Sequence, residues 1–172
     1  MMRLWAVLMC LFMVASCATT KADDVGEAFV IGKTSADGAD DGLPRPFNAT
    51  ADANLDVDVA LAAAQAGEKP AIFVFGANWC HDSRGLAARM EDEQVADLVS
   101  EQYVLTWVDI GRSDRNMDVL RRFGIDEIFG TPIMVITTDD GEIINAASMH
   151  DWRNSSLRSV DEVYSYLDGF AS

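Results

Sequence analysis

The run Ala71-Ile72-Phe73-Val74-Phe75 is apolar at every position and stops at Gly76. A strand with one wet face alternates polar and apolar side chains. Five apolar residues without alternation fit a central strand covered on both faces. Pro70 marks where it begins. Beyond Gly76 come Trp79 and Cys80 in a turn, and then an apolar spacing with Leu86, Ala87 and Met90 inward predicts a helix opened by Cys80.

The flanking sequence supplies the cover. Leu55, Val59, Leu61 and Ala62 predict a helix that ends at Gly67. Val95 to Val99 reads as a short helical piece, leading into a second strand, Tyr103 to Ile110. Met117, Leu120 and Phe123 mark another helix, with Gly124 as its left-handed cap. "GTPIMVITTDDGEIINAA" reads as a hairpin, with strands Ile133 to Thr137 and Glu142 to Ala147 turned by Asp140-Gly141. Ser159 and Glu162 form a capping box that opens a last helix, Val160 to Phe170. Alternating elements closed by a hairpin imply an α/β domain, a central mixed sheet with helices on both faces.

The first residues have another character. Arg3 precedes an apolar stretch of 12 residues, Leu4 to Ala15. It is shorter than the ~20 residues needed to span a bilayer and suits a signal peptide. It ends in "VASC", Val14 to Cys17, which resembles the bacterial lipobox. Residues 1–16 are thus expected to be a signal peptide, with Cys17 the lipidated residue. Residues 17–50 are polar, small and rich in Gly, Asp and Pro, and read as a flexible linker, with a possible stray strand at Glu27 to Gly32. The compact domain is expected over 51–172. Cys10 leaves with the signal and Cys17 carries lipid, so Cys80 is the free thiol of the mature form and has no intramolecular partner there. The net charge of −15, from 28 acidic and 13 basic side chains, excludes nucleic acid as a partner for want of a basic patch.

"AIFVFGANWCHDSR" resembles the strand-turn-helix of thioredoxins, including the tryptophan before the first cysteine. "YVLTWVDI" is similar to the next thioredoxin strand. "FGIDEIFGTPIMVITTDDGEII" is similar to the later stretch in which Thr-Pro opens a strand. The resemblance covers roughly residues 52 to 170 and implies a thioredoxin-like fold. With the lipobox it implies a periplasm-facing lipoprotein of a Gram-negative envelope, and Ala18 after Cys17 favours the outer membrane. By the same resemblance Cys80 matches the attacking cysteine and Pro132 the cis-proline, and Thr131 would pair with an extended substrate backbone. Two positions depart from the pattern. Ser83 stands where the resolving cysteine would be, and Val74 where a buried aspartate often serves as proton acceptor.

A thiol at a helix N-terminus is favoured as thiolate by the helix dipole and free N–H groups. His81 could add positive charge, and Ser83 could donate its hydroxyl to the sulfur. Each has a plainer reading, His81 as an exposed polar residue and Ser83 as an ordinary helix-start serine. A lone thiolate forms a mixed disulfide but cannot resolve it. The partners expected are therefore a protein or small thiol or disulfide client, an external resolving thiol, and the membrane through the lipid anchor. Trp79, Thr131, Pro132, His150 and Trp152 are the expected client contacts, the last two from the "MHDWR" segment returning toward Pro132. That segment reads equally as a surface loop with one packing tryptophan. No cofactor is called for. No metal is expected, because Cys80 and His150 would need His81 or Asp82 to complete a site, and adjacent residues seldom point at one ion. The rival to an exchange catalyst is a non-catalytic binding module that keeps the fold and its groove.

Overall fold

The computed structural model describes residues 41–171. The signal peptide, Cys10, Cys17, most of the linker and the segment Glu27 to Gly32 lie outside the described residues.

The expected central strand, β1 (Ala71–Gly76), is buried along its whole length. It pairs in parallel with β2 (Val104–Asp109) and antiparallel with β3 (Ile133–Thr137), giving the order β2-β1-β3 in a mixed sheet. Alternate side chains of β1 feed two cores. Ile72 and Val74 join Leu105, Trp107, Met134 and Ile136 under α2 (His81–Met90), α3 (Glu93–Gln102) and α5 (Val160–Asp168). Ala71, Phe73 and Phe75 join Val108, Ile133 and Val135 under α1 (Ala53–Gly67) and α4 (Met117–Arg122). Strand period two thus explains why every residue of the run is apolar.

The ends of the helices follow local chemistry. Asp52 caps α1 by accepting from the Leu55 N–H at 3.1 Å. Ser159 and Glu162 form the reciprocal box at α5. Gly124, at φ +70°, follows α4 and donates its N–H to the Arg121 carbonyl, the left-handed exit that glycine accepts without cost.

Three expectations are corrected. The buried face of α1 is Ala53, Val57, Ala60 and Ala64, whereas Leu55 is 57% exposed and Val59 is also exposed. Small side chains at that spacing meet the sheet, and the larger residues are left on the outer side. The second hairpin strand, Glu142 to Ala147, does not form. One bridge joins Thr137 to Ile143, and the chain then turns at Asn145. The buried Asn145 amide takes the place of a strand, accepting from Ile136 N at 2.8 Å and donating to the Met134 carbonyl at 2.7 Å. That side chain, with the Ile144 N–H on the Ile136 carbonyl and the Met134 N–H on the Met149 carbonyl, satisfies an edge that a strand would have paired.

The third correction concerns the linker. Its last residues, 41–50, pack on the domain. Phe47 is completely buried, its ring edge-on to Trp107 at 5.3 Å. The Asn78 side chain holds the Phe47 backbone, accepting from its N–H at 3.1 Å and donating to its carbonyl at 2.7 Å. Arg84 of α2 binds the Asp41 carboxylate through both terminal nitrogens and donates to the carbonyls of Leu43 and Pro44. The guanidinium holds the Asp41 carboxyl far below its usual range. The tie is therefore fully present above the ordinary carboxylate pKa of 3.8 and weakens only as pH falls below it. Composition suggested a tether because these residues carry no periodicity, and a single aromatic anchor has none to show.

Phe47→Ala is expected to destabilise the domain by about 3–5 kcal/mol, the usual cost of emptying a buried phenylalanine site. Urea unfolding of the full chain measures this, and a loss under ~1 kcal/mol would place the segment outside the cooperative unit.

Candidate functional site

The sheet delivers Cys80 to a defined place. β1 ends at Gly76, and the turn through Asn78 and Trp79 closes with the Cys80 N–H on the Ala77 carbonyl at 3.0 Å. Cys80 is the N-cap residue of α2, with extended backbone and no side-chain cap bond. Its carbonyl accepts the Arg84 N–H at 3.1 Å, the first bond of the helix. The thiol is free and only 9% exposed, and it donates to the Thr131 carbonyl at 3.6 Å. The Thr131–Pro132 bond beside it is cis, and Pro132 is buried. The two turns singled out in the sequence therefore meet.

The other expected residues divide. Trp79 lies half in the open, 55% exposed, with its indole N–H on the Gly111 carbonyl at 2.8 Å and the Arg112 guanidinium 4.9 Å above its ring. His81 is exposed at the first position of α2. The Asp82 carboxylate accepts from both the backbone N–H and the hydroxyl of Ser156, at 3.1 and 2.6 Å. This ties the start of α2 to a single 3₁₀ turn, Ser155–Leu157.

Ser83 is completely buried, and among the described residues its hydroxyl has no hydrogen-bond partner, Cys80 included. The expected donation to the sulfur is absent because the side chain packs against the backbone of Gly76. A Cβ at Gly76 would meet Ser83 Oγ at 2.6 Å and Phe47 Cζ at 2.7 Å. Glycine ends β1 because the strap and the helix close on that point from two directions.

Trp152 is not a surface contact. It is 1% exposed, edge-on to Tyr166 at 4.7 Å, with Arg158 stacked 4.8 Å from its ring centre. The segment turns inward at this residue, so its indole fills the core under α5 and offers nothing to a client. His150 stays near the surface, its ring 6.2 Å from that of Phe129. Phe129 is the residue sequence reasoning missed. It is 66% exposed, two positions before Thr131, and Arg153 donates to its carbonyl at 3.2 Å. A large apolar residue with no periodic partners, directly before Gly-Thr-Pro, was the available signal.

Val74 is fully buried among apolar neighbours, so no carboxylate stands at that position. The buried carboxylate nearby in the sheet is Asp109, paired in register with Gly76. Burial pushes its pKa up, against the Gly111 N–H at 2.8 Å and Arg115 at 3.3 Å, which pull it down. Among the described residues no three His, Cys, Asp or Glu side chains gather around one point.

Removing the Ser83 hydroxyl tests this arrangement. Ser83→Ala deletes a buried polar group that has no partner among the described residues and is expected to stabilise the domain by up to ~1 kcal/mol. The iodoacetamide rate at Cys80 should stay unchanged, and a slowed rate would mean that the hydroxyl does reach the sulfur.

The fold is shared with known proteins. A family model described as thioredoxin-like matches residues 51–139. The crystal structure of a disulphide isomerase from Xylella fastidiosa Temecula1 superposes with a TM-score of 0.70 at 29% identity, covering 74% of this chain and 98% of that one. The solution structure of a thioredoxin from Thermus thermophilus matches with a TM-score of 0.46 at 18% identity, covering 66% of this chain and 82% of that one. No curated protein sequence matches.

Proposed function

Since the chain belongs to the thioredoxin-like family, we propose that it carries out thiol–disulfide exchange through Cys80 acting as a single thiol. The observation that carries this reading is the placement of the Cys80 sulfur 3.6 Å from the Thr131 carbonyl, at the start of a helix. A client lying along the Thr131-Pro132 turn has its disulfide within reach of the sulfur, with Trp79 and Phe129 as exposed aromatic surface nearby. The likeness to a disulphide isomerase at 29% identity supports the same class of chemistry. Isomerisation, removal of a small thiol from a client, and capture of a client are the reactions open to one thiolate.

The thiolate attacks one client sulfur, and the other client sulfur leaves. Cys80 and the client are then joined in a mixed disulfide. Ser83 has no sulfur with which to break it, so a second thiol must come from the client or from outside. With valine at position 74, no carboxylate there takes the leaving proton, and solvent receives it. The anchor belongs to the same proposal. Cys17 behind its apolar stretch would hold the domain at the periplasmic face of a bacterial membrane, the outer membrane by preference.

A binding module without catalysis is the second reading, favoured by the 9% exposure of Cys80. Trapping separates the two. Acid-quenched cells are expected to yield mixed disulfides with the natural protein and none with Cys80→Ala. Client association that persists undiminished in Cys80→Ala would support the binding module.

Ser83→Cys restores a Cys-x-x-Cys pair at the helix start. This variant should reduce insulin in the presence of dithiothreitol severalfold faster than the natural protein. Equal rates would contradict the single-thiol account. For the anchor, intact mass of the membrane fraction should show an acylated N-terminal Cys17, and Cys17→Ala should appear in the soluble fraction. A mature N-terminus elsewhere, without acyl mass, would end that part of the proposal.

A further inference from the structure

Exchange by one thiol leaves a participant to be named, the thiol that clears its mixed disulfide. A cavity of about 330 Å³ opens beside the Cys80 turn on the β2 side. Its wall includes Asn78 and Trp79, the two residues before Cys80, with Asp109 and Gly111 at the end of β2. Consecutive Cα atoms are ~3.8 Å apart, so cavity and thiol share one turn. The volume falls at the low end of the range for small-molecule sites, ~300–1,000 Å³.

The lining has a sign opposite to that of the chain. Three arginines, Arg45, Arg112 and Arg115, face it with two aspartates, Asp109 and Asp114, an excess of one positive charge in a chain with 13 basic and 28 acidic side chains. Two of them are partly neutralised. Arg115 pairs with Asp109 at 3.3 Å and lies 3.9 Å from Asp114, and Arg45 lies 3.7 Å from Asp41. Arg112 rests over the Trp79 ring and, among the described residues, has no carboxylate within ion-pair distance. A ring face holds a guanidinium in place without cancelling its charge.

Resting on the exchange reading above, we propose that this cavity binds the carboxylates of an acidic low-molecular-weight thiol, and that this thiol resolves the Cys80 mixed disulfide. β1 lies between β2 and β3, so the cavity and the Thr131-Pro132 turn flank the Cys80 turn from opposite sides. The bound thiolate attacks the Cys80 sulfur. The bond from Cys80 to the client sulfur breaks, and the client leaves as a thiolate and takes a proton from water. A disulfide between Cys80 and the small thiol remains. A second small thiolate attacks the small-thiol sulfur of that bond, and Cys80 leaves as thiolate. Two small thiols become one disulfide, and the client disulfide gains the two electrons. Arginine suits this task because its planar N–H fork matches a carboxylate.

The test uses the full chain and S-methylglutathione, a tripeptide with two carboxylates and no free thiol, followed by calorimetry. Saturable binding that weakens with salt is expected. Arg112→Glu should weaken it about tenfold or more, as loss of a charge-assisted contact and introduction of a like charge require. Arg121→Glu, outside the cavity, should leave it within twofold. Absence of binding, or equal loss in both variants, would overturn the proposal. A second measurement follows resolution of a preformed Cys80–peptide disulfide by glutathione and by 2-mercaptoethanol, each scaled to its rate on a small-molecule disulfide. A scaled preference for glutathione that Arg112→Glu abolishes is expected, and equal scaled rates would overturn the resolving role. The probe has no thiol, so its binding reports the cavity whether or not Cys80 reacts. Binding lost with client capture intact overturns the cavity alone. Capture lost with binding intact overturns the exchange reading and the resolving role with it.

Discussion

Burial of β1 on both faces is the constraint from which the other placements follow. A strand with no polar side chain can exist in water only if helices cover both of its faces and strands take up both of its edges. Helices α1 and α4 cover one face, and α2, α3 and α5 the other. With β2 and β3 on its edges, the backbone of β1 is satisfied on both sides. What leaves β1 at Gly76 therefore emerges beyond the C-terminal end of the central strand, and that is where Cys80 begins its helix. The site is a consequence of how thoroughly the strand beneath it is enclosed.

The surroundings of the single sulfur at this turn follow from the same packing. Ser83 occupies the position one helical turn along, but its side chain is buried against Gly76. The serine fills a packing position, and among the described residues the sulfur's hydrogen-bond partner is the Thr131 carbonyl. Arg84 adds a cation close by, yet its charge is committed to Asp41. Among the described residues, no titratable side chain hydrogen-bonds Cys80 to make up for Ser83 or Val74. On the exchange reading proposed above, the second thiol arrives with the client or in solution.

Much of this was legible in the sequence because it is periodic or local. The unbroken apolar run gave the central strand, Ser159 and Glu162 the start of α5, and Gly124 the exit from α4. The misreadings share a cause, since each turns on a contact with another element of the fold rather than on the local pattern. Leu55 and Val59 look like a helix face, but the alanines of α1 are what fit the sheet. Asn145 looks like a residue of a second hairpin strand, yet its amide does the pairing instead of its backbone. Trp152 looks like an exposed loop aromatic and is a core residue, because Tyr166 and Arg158, which enclose it, lie further along the chain. Phe47 and Phe129 are single aromatics outside any repeat, one buried and one exposed, and pattern alone does not separate them.

The strap of residues 41–47 also has a mechanical meaning. Arg84 grips Asp41 and the carbonyls of Leu43 and Pro44, and Asn78 grips Phe47. A pull on the chain from its N-terminal side therefore enters the fold at α2 and at the turn before Cys80, and it loads those contacts before any strand of the sheet. The helix that carries the thiol is also the point at which the domain bears its load.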